Sequence, residues 1–191
     1  MSSVQLIVGL GNPGAQYEQT RHNAGFWFVE EVARQYGVVF RPESKFSGEV
    51  ARIQVGGRDC WLLKPGTFMN RSGQAIQAIA NFYKISPQSI LVVHDELDLP
   101  AGVAKLKVGG GHGGHNGLRD TIAKIGAEFA RLRLGIGHPG HRDQVVDYVL
   151  KAPSKIDRQK LDDAIYEASR IVPDLLQGDF AKAMQQLHTQ S

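Results

Sequence analysis

The stretch from Ile90 to Asp120, ILVVHDELDLPAGVAKLKVGGGHGGHNGLRD, constrains the fold of this chain more than any other. It begins as an apolar run, Ile90 to Val93, and breaks into His94, Asp95, Glu96 and Asp98. A second strand-like piece, Val103 to Val108, leads into GGGHGGHNG, Gly109 to Gly117. An apolar run that ends in charged side chains reads as a buried strand opening on a crevice, where side chains can meet a ligand. The glycines permit positive φ and close approach of backbone to a ligand, at an entropic cost that a plain connection would avoid. This segment is the expected working centre.

A second apolar run, Val4 to Leu10, has the look of a central strand covered on both faces. It ends in Gly11-Asn12-Pro13-Gly14, a turn signal. Together with Gly9 the letters satisfy GxGxxG, but Pro13 and the polar YEQTRHN delay any periodic helix until about Ala24. Glu30 and Glu31, near the distance of a ribose-binding acid, fall inside that helix rather than at a strand end, so a dinucleotide site is disfavoured. Asn23 is the expected N-cap, which places His22 in a strand-to-helix connection. The helix from Ala24 to Tyr36 carries Phe28, Val32 and Tyr36 on one stripe, a core face.

Val38 to Phe40, Gly48 to Val55 and Asp59 to Leu63 read as strands, the last two joined as a hairpin at Gly56-Gly57. Thr67 to Gly73 leads into a helix on Ala75, Ile76, Ile79, Ala80 and Tyr83, with Asn70 or Ser72 available as a cap. Leu118 to Ile125 reads as a short helix, and Arg131 to Ile136 as a half-exposed strand pointing two arginines to one side. Asp147 to Leu150 is too short to place. Helical spacing resumes from about Ser154, with a boundary or kink expected at Pro173 and a final turn or two over Asp179 to Leu187. No repeat or linker divides the chain, so the expectation is one α/β domain over residues 1–191.

Cys60 is the single cysteine, which excludes an internal disulfide and a cysteine zinc cluster. No apolar run approaches the roughly 20 residues that span a bilayer, and MSSVQLIVGLG lacks the basic region of a signal peptide. A soluble, cytoplasmic protein with no membrane partner is expected. The net charge of +3 says little, but between residues 101 and 142 Lys105, Lys107, Arg119, Lys124, Arg131, Arg133 and Arg142 face only Asp120 and Glu128. A local positive excess after the polar centre would steer a polyanion toward the crevice, although a merely solvated face would look the same.

Of the seven histidines, His141 and His188 sit in a polar loop and near the C-terminus and are expected to be uninvolved. If the strands before His22 and through Asp95 are neighbours, the carboxylate can accept from Nδ1 and leave Nε2 free to take a proton from water. No G-x-S-x-G elbow is present and no cysteine lies near His22, so the nucleophile is expected to be water or a substrate group. A catalytic metal is the main competitor, with His94, Asp95, Glu96, Asp98, His112 and His115 as available ligands, though no HExxH is present. Asn12, Asn70 and Asn116 each sit at a strand-to-turn junction, where a carboxamide can orient an amide-containing substrate or donate to an oxyanion.

These residues lie in strings that closely resemble the bacterial peptidyl-tRNA hydrolase family: LIVGLGNPGAQYEQTRHNAGFWFV, TFMNRSGQA, VVHDELDLPAGVAKLKVGGGHGGHNGLRD and RLRLGIGHPG, in that order. The resemblance covers nearly the whole chain. It implies a monomer with a twisted mixed β-sheet surrounded by helices, which hydrolyses the ester between a peptide and the terminal ribose of tRNA and needs no metal or cofactor. It makes His22 the general base, Asp95 its partner, and Asn12, Asn70 and Asn116 the groups that hold substrate. Tyr17, Phe68 and Met69 would line the site of the 3′ end and peptide, with His115 in support. Lys107, Arg133 and Arg142 become candidates for the 5′-phosphate and acceptor stem. Pro65-Gly66-Thr67, Ala130 and the lysine-free His141-Arg142-Asp143-Gln144 depart from the pattern of many relatives. A non-enzymatic RNA-binding module and a generic amidase or esterase are the competing classes.

Overall fold

The two apolar runs become neighbours. In the computed structural model, which describes residues 2–188, the strands are β1 (Leu6–Gly9), β2 (Arg41–Glu43), β3 (Gly48–Val55), β4 (Arg58–Pro65), β5 (Ile90–Glu96), β6 (Ala104–Val108) and β7 (Ala130–Gly135). The helices are α1 (Ala24–Gln35), α2 (Ser72–Tyr83), α3 (Asn116–Ile125), α4 (Val145–Val149), α5 (Lys155–Ser169), α6 (Val172–Leu176) and α7 (Phe180–His188). One sheet of seven strands runs β2-β3-β4-β1-β5-β7-β6. β4, β1, β5 and β7 are parallel, while β2, β3 and β6 add antiparallel edges. The chain is thus a single α/β domain with a mixed, largely parallel sheet between helices.

Each face of the sheet has its own core. Trp27, Phe28, Leu161, Ile165 and Leu175 bring α1, α5 and α6 onto one face. Met69, Ile76, Ile79, Leu118 and Phe129 bring α2 and α3 onto the other. β1 is buried at every position and β5 at all but Glu96, as expected of strands covered on both sides. After β1 the chain turns into α1 on the first face; after β5 it returns, through β6, to α3 on the second. Their carboxyl ends therefore open on a crevice of the kind in which open α/β sheets bind ligands. Close packing fixes the entry to α1: a Cβ on Gly25 would lie 2.4 Å from Val93 O and 2.5 Å from Leu10 N. Only glycine lets α1 start this close to the strand ends.

Four expectations need correction. Val38 to Phe40 is not a strand; pairing begins at Arg41, because Val38 N donates instead to Ala33 O at the helix end. The strand read as half-exposed from Arg131 is Ala130–Gly135 and is buried except at Arg133, since the glycine-rich loop lies over Arg131. α3 begins at Asn116, two residues early. His188 is not idle: its Nε2 accepts from Leu106 N at 3.2 Å on the open edge of β6. The boundary at Pro173 is found, with the proline in the first turn of α6. No helix among the described residues is long and apolar enough to cross a membrane.

Candidate active site

At the carboxyl ends of β1 and β5 a cavity of about 560 Å³ is lined by His22, Asp95, His115, Asn12, Asn70 and Asn116, among others. A larger cleft of about 900 Å³ lies between α1 and α5. Its charges are largely self-paired, Lys64 with Glu30 and Glu49 and Arg158 with Asp162, so its size does not mark the chemistry.

Asp95 is the hinge of the cavity. It is the penultimate residue of β5, two after Val93, whose carbonyl accepts Leu10 N just beyond the end of β1. His22, in a 3-10 turn just before α1, places Nδ1 2.9 Å from Asp95 Oδ2. His115 places Nε2 2.8 Å from Asp95 Oδ1. The proton on each ring follows from its other bonds. His115 Nδ1 accepts from Gly117 N and Leu118 N, capping α3, so its proton sits on Nε2 and points at Asp95. His22 in turn donates from Nδ1, and its Nε2, with no hydrogen bond, is left as a base in the cavity.

Burial penalises the His22 imidazolium, but the charge of Asp95 and its hydrogen bond outweigh that penalty, and the pKa lies above its ordinary value. Burial likewise opposes the Asp95 carboxylate; the two histidines hold it well below the usual carboxylate range. His22, Asp95 and His115 bring ligand atoms within 4.8 Å of one another, close enough for a metal. The assigned protons oppose one there, because His115 Nε2 is a donor and its Nδ1 is spent on backbone. The wider set of ligands that the sequence made available to a competing metal site is not brought together among the described residues: His94 turns Nδ1 to Asp95 O at 2.8 Å, and His112 Nδ1 accepts from Gly114 N.

Asn12 is held from three sides. Its Oδ1 accepts Met69 N at 2.7 Å, its N donates to Asn23 Oδ1 at 2.9 Å and its O accepts Asn23 Nδ2 at 2.9 Å. Asn12 Nδ2 is left for the cavity. Asn23 begins α1 but makes no side-chain cap; it pins the Asn12 turn instead. Asn116 Oδ1 accepts Arg119 Nη1 at 3.1 Å, which leaves its own Nδ2 free, and Asn70 is exposed on the rim with no internal bond. Met69 is buried below the rim, and Phe68, 57% exposed, meets Tyr17 edge to face at 6.2 Å. Tyr17 stands behind Phe68 and does not line the cavity.

The basic residues divide. Lys107 and Arg133 share one sheet face across β6 and β7, outside the cavity lining, with Arg131 paired to Lys107 and Lys105 to Arg133. Arg131 is 2% exposed and holds the oxygens of Gly110, Gly111 and Ala127, so it braces the glycine-rich loop. Arg142 lies instead at the cavity mouth, just before the apolar wall of Val145, Val149 and Leu150. That wall escaped the sequence because Asp147 to Leu150 shows no usable period; the cap by His115 escaped because histidine is not among the common N-cap residues.

The family model described as peptidyl-tRNA hydrolase matches residues 6–191. A peptidyl-tRNA hydrolase of Neisseria meningitidis serogroup C (strain 053442) is 57% identical over 189 residues, 98% of each chain. One from Halorhodospira halophila is 57% identical over 185 residues, 96% of this chain and 95% of its own. A crystal structure of peptidyl-tRNA hydrolase from Acinetobacter baumannii superposes with a TM-score of 0.96 at 51% identity, covering 98% of this chain and 95% of that one.

Proposed function

The chain belongs to the peptidyl-tRNA hydrolase family and hydrolyses peptidyl-tRNA, and we propose how its residues do so. His22 Nε2 takes a proton from water, and the resulting hydroxide adds to the carbonyl carbon of the ester between peptide and terminal ribose. The tetrahedral intermediate expels the ribose oxygen, which receives the proton from His22. The products are tRNA with a free ribose hydroxyl and a peptide carboxylic acid, which loses its proton to solvent and leaves as the carboxylate. Asp95 holds the ring in the productive tautomer and stabilises the imidazolium formed on the way. Asn12 Nδ2 and Asn70 donate to the developing oxyanion, and Asn116 holds the peptide backbone. The observation that carries this reading is the 2.9 Å contact of His22 Nδ1 with Asp95 Oδ2, which leaves Nε2 unbonded in the cavity.

Substrate enters with its 3′ end over Phe68, which Tyr17 backs, and Met69. Lys107 and Arg133 take the 5′-phosphate and acceptor stem, while Arg142 meets phosphate nearer the cavity mouth; such contacts are independent of sequence. The protein acts as a monomer, in the cytoplasm where peptidyl-tRNA arises. The test is turnover of N-acetylaminoacyl-tRNA beside the same aminoacyl-tRNA with its amine free, in ¹⁸O-water with chelator. Cleavage of the blocked substrate, with label in the released carboxylate, is expected. Inertness of the folded protein would leave RNA binding without catalysis, and equal turnover of a simple ester lacking RNA would leave a generic esterase.

A further inference from the structure

His94 is 2% exposed, lines the cavity and has no part in the chemistry above. Its Nδ1 lies 2.8 Å from Asp95 O and therefore carries the proton; burial pushes its pKa down to about 3, so the ring is neutral. Nε2 is then a lone-pair acceptor, and it is buried without a partner. On the adjacent strand the residue in register with His94 is Arg133, whose Nε is a donor, also buried without a partner. Paired residues on neighbouring strands stand about 4.8 Å apart and share a sheet face. An orphaned acceptor and an orphaned donor are thus carried by register partners on one sheet face, where one shared water or a turn of either side chain would satisfy both. On its other side the His94 ring packs edge to face on His115 at 5.2 Å.

We propose that His94 is a positioning residue that ties the Arg133 guanidinium to the groups holding Asp95. The inference rests on the reading that Arg133 binds tRNA phosphate. A phosphate on Arg133 fixes the direction of its Nε, which fixes His94; His94 holds the Asp95 carbonyl and the His115 ring, and His115 holds Asp95 Oδ1. The tRNA body thereby contributes to kcat as well as to KM.

The experiment compares kcat and KM for full-length N-acetylaminoacyl-tRNA with those for the same blocked amino acid esterified to a short CCA oligonucleotide. It uses wild type, His94→Leu, His94→Gln and Arg133→Gln, each checked for folding by its melting temperature. Wild type is expected to show a kcat about tenfold higher on the full substrate, within the usual range of coupling between sites. His94→Leu removes that excess and leaves the full-tRNA KM in place; His94→Gln, which returns an acceptor at the reach of Nε2, restores the excess. Arg133→Gln loses the excess and raises KM. Should His94→Leu not fold, His94→Asn replaces it, since it keeps a donor for Asp95 O and lacks the far acceptor. Equal loss of kcat on both substrates, or an excess that survives in the leucine variant, overturns the link alone if Arg133→Gln still raises KM. An unchanged KM in Arg133→Gln overturns the phosphate reading and the link with it.

Discussion

His115 holds Asp95 with one ring nitrogen and the start of α3 with the other: Nε2 lies 2.8 Å from Asp95 Oδ1, while Nδ1 accepts from Gly117 N and Leu118 N. A helix cap and the carboxylate that holds His22 therefore share one side chain. His115→Ala is expected to cost about 1 kcal/mol through the cap. In a chain of this size that lowers Tm by roughly 2–4 °C. The charge of Asp95, no longer shared, acts on His22 alone, so the acid limb of kcat/KM moves to higher pH. A limb that stays in place would show that His115 does not share the carboxylate.

Asp95→Asn should move the same limb the other way. Burial is the largest influence on His22 and lowers its pKa; Asp95 is what raises it above the ordinary value. Without the carboxylate the ring titrates lower and the base form persists to lower pH. The plateau rate falls by about 10²–10⁴ because the imidazolium loses its support and the tautomer is no longer set. A pH profile of kcat/KM reads both effects, and a limb displaced upward would reverse the assignment of Asp95.

Asn23→Ala removes both bonds that fix the Asn12 turn and leaves a buried N–H and C=O unpaired. The cost is about 1–3 kcal/mol for each group left buried and unsatisfied. Chemical denaturation measures it. Because Asn12 Oδ1 also holds Met69 N, kcat should fall together with stability even though Asn23 does not touch substrate.

Much of this was legible in the chain. The apolar runs at Leu6 and Ile90 announce central strands; HDELD puts an acid near the end of one, and TRHN puts a histidine in the connection that follows the other. Periodicity cannot say that those strands are neighbours. That fact belongs to the sheet order, and it turns two separate motifs into one pair. Asn23 looked like a cap because caps and turn pins use the same residue types, and only the direction of the side chain tells them apart. Arg131 and Arg133 looked alike on one alternating strand, yet the glycine-rich loop buries the first and leaves the second partly open. A loop that folds back over a sheet leaves no mark in local period.

Lys107→Gln and Arg133→Gln should each raise KM for full-length tRNA and leave a minimal ester substrate unaffected. Each cation withdrawn from a phosphate reduces the slope of log affinity against log salt by about 0.9. Titration of binding across salt concentrations checks this, and an unchanged slope in either variant would remove that residue from the phosphate face.

The central claim is that His22 deprotonates the attacking water. The most direct measurement is hydrolysis of N-acetylaminoacyl-tRNA by His22→Ala at neutral pH with chelator present, on protein shown to be folded by its melting curve. The account predicts a rate lowered by about 10³-fold or more, the scale of a lost general base. A rate within about tenfold of wild type, below that scale, would contradict it and move the base elsewhere.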